Sequence, residues 1–198
     1  MTSTNQQRPI IMVSSSVYGI EELLNQIFAM LEKYGYTVWM SHKGTMPVSS
    51  TGTAFDNCLE AVNQCDAFLG IITGWYGSGV EPREKGITHQ EILCAIEQNK
   101  LRWFLVHHDV AVARQLLKQF RFNNDGTSKP LDFKRTPVLS DIRVLEMYES
   151  AVRQDLPLAQ RTGNWVQEYT NFGDALRYVE AQFADAKRIW KLLNRPTS

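Results

Sequence analysis

The stretch of this 198-residue sequence richest in reactive groups is Gly86-Ile87-Thr88-His89-Gln90-Glu91-Ile92-Leu93-Cys94-Ala95, which sets an imidazole, a carboxylate and a thiol close together. Glu91 has two readings. Thr88 and Glu91 fit the S/T-x-x-E capping box, with Ile87 and Ile92 as its hydrophobic staple. A carboxylate at the mouth of a helix can equally face a ligand, and spacing alone does not separate the two. His89-x-Glu91 lacks the Pro-Cys-x-x-Cys that zinc deaminases require downstream, so that chemistry is excluded. In His107-His108-Asp109 adjacent side chains point apart, so an exposed strand end is expected and no metal site is assigned. Cys94 shares a helix face with Glu91 and is expected to be a buried thiol. No Walker A or GxGxxG string occurs.

Two other groups of residues could hold a ligand. Ser14, Ser15 and Ser16 follow an apolar run and feed a helix, where free backbone N–H groups and a positive dipole end attract anions. Serine is also a common helix cap. Trp75 and Tyr76, between Gly74 and Gly77, are placed either to stack on a planar base or to lid the core; the flanking glycines suggest unusual backbone angles.

The elements that position these residues follow from periodicity. Ile10 to Val13 is continuously apolar, as in a parallel strand buried on both faces. Ile20, Leu23, Leu24, Ile27, Phe28, Leu31 and Tyr34 repeat at three and four, which predicts a helix. Strands are predicted at Tyr36–Ser41, Ala67–Thr73 and Leu101–His107. Helices are predicted from about Thr53 (Phe55, Leu59, Val62), over Thr88–Asn99, and over Val110–Phe120 with Val112, Leu116 and Leu117 inward. Four alternations of strand and helix indicate a doubly wound parallel sheet over residues 8–120. Ligands of such sheets bind beyond the carboxyl ends of the strands. The loops leaving those ends are Ser14–Ser16, His42–Gly52, Gly74–Gly86 and His107–Asp109.

Residues 121–139 are polar and read as a mobile loop. Within 140–198, a helix is predicted over Asp141–Val152, a fifth strand at Trp165–Tyr169, and one long helix from Gly173 to Leu193. Its Leu176, Val179, Phe183, Ala186, Trp190 and Leu193 form a heptad-like seam. Packing on its own sheet is the favoured use of that seam, and self-association the lesser one.

Composition sets bounds. Lys+Arg and Asp+Glu both number 21, so no basic face for duplex nucleic acid is expected. No apolar run approaches membrane-spanning length, and no signal-peptide core is visible near Met1 to Arg8. Cys58 and Cys65 lie roughly 10 Å apart by helical rise, beyond disulfide reach. A single cytoplasmic domain with reduced thiols is expected, with no nucleic acid or membrane partner.

VSSSVYGIEELLNQIF, CDAFLGIITGWYGSG, GITHQEILCA, DIRVLEMYESAV and NWVQEYTNFGDALRYVEAQF, in this order, resemble domain of unknown function 4062. That family is similar to Toll/interleukin-1 receptor (TIR) domains and, distantly, to nucleoside deoxyribosyltransferases. The resemblance implies a flavodoxin-like, TIR-like α/β fold of about five mainly parallel strands with helices on both faces. It also implies a nucleotide ligand at Ser14, Ser15, Ser16, Tyr18, His42, Trp75, Tyr76 and Gly77. Glu91 corresponds in place to the TIR carboxylate, so the resemblance gives it a catalytic role, stabilising an oxocarbenium-like ribose as nicotinamide leaves NAD. His89-Gln90 stand where TIR enzymes often have Trp-Cys. The implied activity is N-glycosidic cleavage of NAD or a related nucleotide in signalling or defence, with no further cofactor or metal required. The alternative is a non-catalytic sensing or self-assembly module, acting as a homo-oligomer or with a signalling partner protein.

Overall fold

The apolar runs of the sequence pair side by side into one sheet. In the computed structural model, which describes residues 8–77 and 85–194, every strand pairing is parallel. The chain runs β1 (Ile10–Ser15), α1 (Glu21–Lys33), β2 (Thr37–Trp39), α2 (Ala54–Gln64), β3 (Ala67–Ile72), α3 (Ile87–Glu97), β4 (Leu101–His107) and α4 (His108–Arg121). It continues through α5 (Arg143–Ala151), β5 (Val166–Tyr169), α6 (Phe172–Phe183) and α7 (Ala186–Leu193). The order across the sheet is β2-β1-β3-β4-β5, so the winding reverses between β1 and β3. This is the doubly wound α/β fold expected from the alternation. Residues 78–84 of the Gly74–Gly86 loop, like 1–7 and 195–198, lie outside the described residues.

Alternation along β1 explains the two layers. Ile11 and Val13 face α1 and α6, where Leu23, Leu24, Ile27 and Leu31 meet Val179 and Phe183. Met12 faces the other side, where Phe68 and Phe104 pack against Val62 of α2, Ile92 of α3, Val110 of α4 and Val144 of α5. Each such fully buried side chain contributes roughly 1.5–3 kcal/mol. Among the described residues no helix is long and apolar enough to cross a membrane.

Four expectations are corrected. The long last helix is two: the α-helical run stops at Phe183, and the Asp185 side chain accepts from Arg188 N–H to start α7 afresh. The break rotates the seam, so Phe183 is buried while Ile189 takes the inward place and Trp190 is only half-buried. On α4 the buried apolar residues are Val110 and Ala111, and Val112 and Leu116 face out, because α5 covers only one side. The capping box at Thr88 does not form: the cap position of α3 is Gly86, two residues earlier, and no side chain caps it among the described residues. Cys94 is half-buried rather than buried. Capping boxes do form at Thr53/Asp56 and Asn171/Asp174.

Candidate functional site

The end of β1 is polar where its middle is apolar, and the period of two sends its serines to different places. Ser15 donates to the Ile71 carbonyl of β3 at 2.9 Å. Ser16 donates to the Trp75 carbonyl at 2.7 Å and lies 2.9 Å from the Thr73 hydroxyl. The β1 and β3 loops are thus joined at the point where strand order reverses. His107, at the same sheet edge, accepts from Asp109 N–H and caps α4.

A segment from beyond α4 closes this region. Ser140 N–H donates to the Gly74 carbonyl at 2.8 Å, and Tyr76 N–H donates to the Ser140 hydroxyl at 2.9 Å. Any Cβ at residue 74 would stand 2.0 Å from the Val138 carbonyl, so only glycine permits the approach. Gly77 has φ +92°, the left-handed region that favours glycine. Leu139 is buried beneath this junction. The connection expected as a mobile loop therefore packs on the β3 loop over its last residues.

Between these loops lies a cleft of about 650 Å³. Ser15, Ser16, Tyr18, Trp75, Tyr76 and Gly77 line it, with Ser41, Ile87, Thr88, Arg135, Ser140, Asp141 and Arg143. Tyr18, 63% exposed, lies with its ring 4.2 Å from the Trp75 ring. The Arg135 guanidinium lies 4.6 Å from the same indole. Trp75 is thereby a support with two neighbours already on it, and Tyr18 offers the open aromatic surface.

Tyr76 is fixed from below. Its hydroxyl lies 2.9 Å from His89 Nδ1 and accepts from Gly86 N–H at 3.1 Å. The Arg143 guanidinium sits 4.6 Å over its ring and pairs with Asp141 at 2.5 Å. Burial, with Lys85 and Arg143 nearby, lowers the His89 pKa to about 4, so this imidazole is neutral at neutral pH. Its Nε2 is buried without a partner among the described residues.

Ser14 and Glu91 do not line the cleft. They lie behind it, 2% and 4% exposed, with the Ser14 hydroxyl donating to Glu91 Oε2 at 2.5 Å. The Cys58 thiol of α2 is the other hydrogen-bonding neighbour of that carboxylate. Burial raises the Glu91 pKa above the ordinary carboxylate range, opposed by those two hydrogen bonds. Burial, then the charge of Glu91, pushes the Cys58 thiol up to about 12, so it is an unreactive donor. Glu91 is a sheet-facing acid, not a cap.

Of the residues singled out from sequence, six line the cleft, Ser14 and Glu91 form a buried pair behind it, and His42 is exposed in the turn after β2 beside the cleft-lining Ser41. Sequence reasoning missed Arg135, Ser140, Asp141 and Arg143. Asp141-x-Arg143 at a helix start was a readable ion pair; its docking against Tyr76 was not.

Two solved structures are similar to this chain at low identity. A conserved protein from Enterococcus faecalis V583 is 10% identical, with a TM-score of 0.43 over 88% of this chain and 99% of that one. A 2-desoxiribosyltransferase from Leishmania mexicana is 14% identical, with a TM-score of 0.37 over 72% of this chain and 97% of that one. No curated protein matches the sequence significantly. The model of the family described as Domain of unknown function (DUF4062) matches residues 10–180, in agreement with the sequence blocks quoted above, and the chain belongs to that family.

Proposed function

We propose that this domain binds a nucleotide-type ligand in the cleft at the β1/β3 reversal. The observation that carries this reading is the meeting, in one cleft, of an exposed tyrosine, four serines, two arginines and the uncapped start of α3. Aromatic surface suits a base, hydroxyls suit a ribose, and a cationic helix mouth suits an anion. NAD and related nucleotides present all three. The test is calorimetric titration of the full chain with NAD and with simple nucleosides and nucleotides. At least one should saturate a single site, and Tyr18→Ala should weaken it roughly tenfold through lost stacking. Absence of saturable binding to every nucleoside and nucleotide would overturn the reading.

A second reading, cleavage of the N-glycosidic bond, is favoured by Glu91 itself. A buried carboxylate with only neutral donors is a feature of sites that do chemistry. To act, the carboxylate has to reach a ribose carbon from behind Ser14, with water taking up the sugar as the base departs. Nicotinamide release from NAD, followed in dilute and concentrated protein, tests this. Glu91→Gln should abolish release by about a hundredfold or more, the scale of one electrostatic contact to a transition state. Binding without release would leave the domain a sensing or assembly module.

A further inference from the structure

We propose that the cleft selects phosphorylated ligands and that Arg135 is the residue that selects them. This rests on the nucleotide reading above and narrows it, excluding free nucleosides as preferred ligands.

The charges lining the cleft are unequal. Arg135 and Arg143 are its cations among the described residues, and Asp141 its carboxylate. Asp141 is committed to Arg143, accepting from its backbone N–H, its Nε and its guanidinium terminus. Among the described residues no carboxylate pairs with Arg135, so one full positive charge faces the cleft uncompensated.

That charge stands on an anchored base. Thr136, the next residue, exchanges backbone and hydroxyl hydrogen bonds with Leu139, at 2.9 Å from Thr136 N–H and 2.9 Å from Leu139 N–H. Leu139 is buried, and Ser140 ties the turn to Gly74 and Tyr76. The guanidinium itself rests on Trp75. Contact with an aromatic face leaves the in-plane N–H donors of an arginine available, and their fork matches two phosphate oxygens. Much of the entropy of ordering a long side chain is thereby lost before any ligand arrives.

The rest of the cleft agrees with an anion at this end. The first-turn residues Ile87 and Thr88 of α3 border the same space, so the positive end of the helix adds to Arg135. Tyr18, the other neighbour of the Trp75 ring, remains for the base. A nucleoside would use the aromatic part and leave the arginine unmatched.

Calorimetric titration of the full chain with the four ribonucleosides, their 5′-mono- and diphosphates, and inorganic pyrophosphate as competitor tests this. A nucleotide should bind at least about tenfold more tightly than its own nucleoside, the effect of one charge-assisted contact. Pyrophosphate should compete with it. Arg135→Gln should remove most of that ratio while leaving nucleoside affinity unchanged. Arg135→Lys should keep part of it, since a point charge replaces a fork. Arg135 is exposed, so both variants should melt as wild type does. Equal binding of nucleoside and nucleotide by wild type would overturn phosphate selection and leave the nucleotide reading standing. An equal loss of both ligands in Arg135→Gln would overturn it too, making Arg135 a packing support for Trp75. Failure of every nucleoside and nucleotide to bind would remove the nucleotide reading and this inference together.

Discussion

Two carboxylates withdrawn from solvent show opposite solutions to the same physical problem. Glu149 on α5 faces Arg121, whose guanidinium donates to both its oxygens at 2.7 and 2.8 Å, and Arg114 stands 3.4 Å away. Glu91 on α3 is more deeply buried and has a hydroxyl and a thiol instead. Among the described residues no cation pairs with it. A buried charge costs several kcal/mol unless matched, on the order estimated for ions in protein interiors. Glu149 is matched, and its ion cluster ties α4 to α5 and so steadies both ends of the connection that carries Arg135. Glu91 keeps its cost behind the cleft, held by a hydroxyl and a thiol alone among the described residues.

The largest effect should come from breaking the matched site. Glu149→Ala leaves Arg114 and Arg121 facing each other without an anion, and should destabilise the fold by roughly 3 kcal/mol. Chemical denaturation would measure it, at constant m-value. A loss under about 0.5 kcal/mol, typical of surface sites, would mean the cluster is solvated and the contrast with Glu91 is false.

Glu91→Gln sharpens the contrast from the other side, through pH. A carboxyl whose pKa is raised by folding binds its proton more tightly in the folded state. It favours the fold below its unfolded pKa, near the ordinary 4.5, and that contribution is lost as pH rises through the raised value. His89 has the opposite slope: its pKa falls from 6.5 to about 4, so stability is lost on acidification across that window. In wild type the two partly cancel below neutrality. Glu91→Gln should be as stable as wild type or more so at neutral pH, and should lose stability more steeply than wild type on acidification towards pH 4. Parallel pH–stability curves would show that Glu91 is not shifted by burial.

Much of this arrangement was readable before the structure. Four strand–helix alternations fixed the winding, and Ser14–Ser16 and Trp75–Tyr76 were placed at the carboxyl edge because parallel strands share one. Periodicity did not reveal the direction in which Glu91 points: Thr88-x-x-Glu91 satisfies a capping rule, but the cap position falls two residues earlier, at Gly86, and the carboxylate meets Ser14 of β1 instead. The split between α6 and α7 was hidden because Ala184-Asp185 interrupts the helix without a glycine or proline. The docking of Val138–Arg143 on Gly74 was equally hidden, since contact between segments more than sixty residues apart leaves no local pattern. The exposed residues of α4 misled for a related reason: Val112, Leu116 and Phe120 keep a helical spacing on a face that α5 does not cover.

The smallest effect concerns the Ser14 hydroxyl that meets Glu91. Ser14→Ala removes the hydroxyl that donates to Glu91 Oε2. With Glu91 ionised, the loss should cost roughly 1.5–3 kcal/mol; with a neutral acceptor, roughly 0.5–1.5 kcal/mol. The same substitution in the Glu91→Gln background supplies the neutral case, so the two costs form a double-mutant cycle. The cycle should give a coupling of about 1 kcal/mol at a pH above the folded pKa of Glu91. Below that pKa the carboxyl is itself neutral, and the coupling should shrink towards zero. A coupling that stays constant with pH would mean that Ser14 supports packing alone, and that Glu91 carries no charge for it to hold.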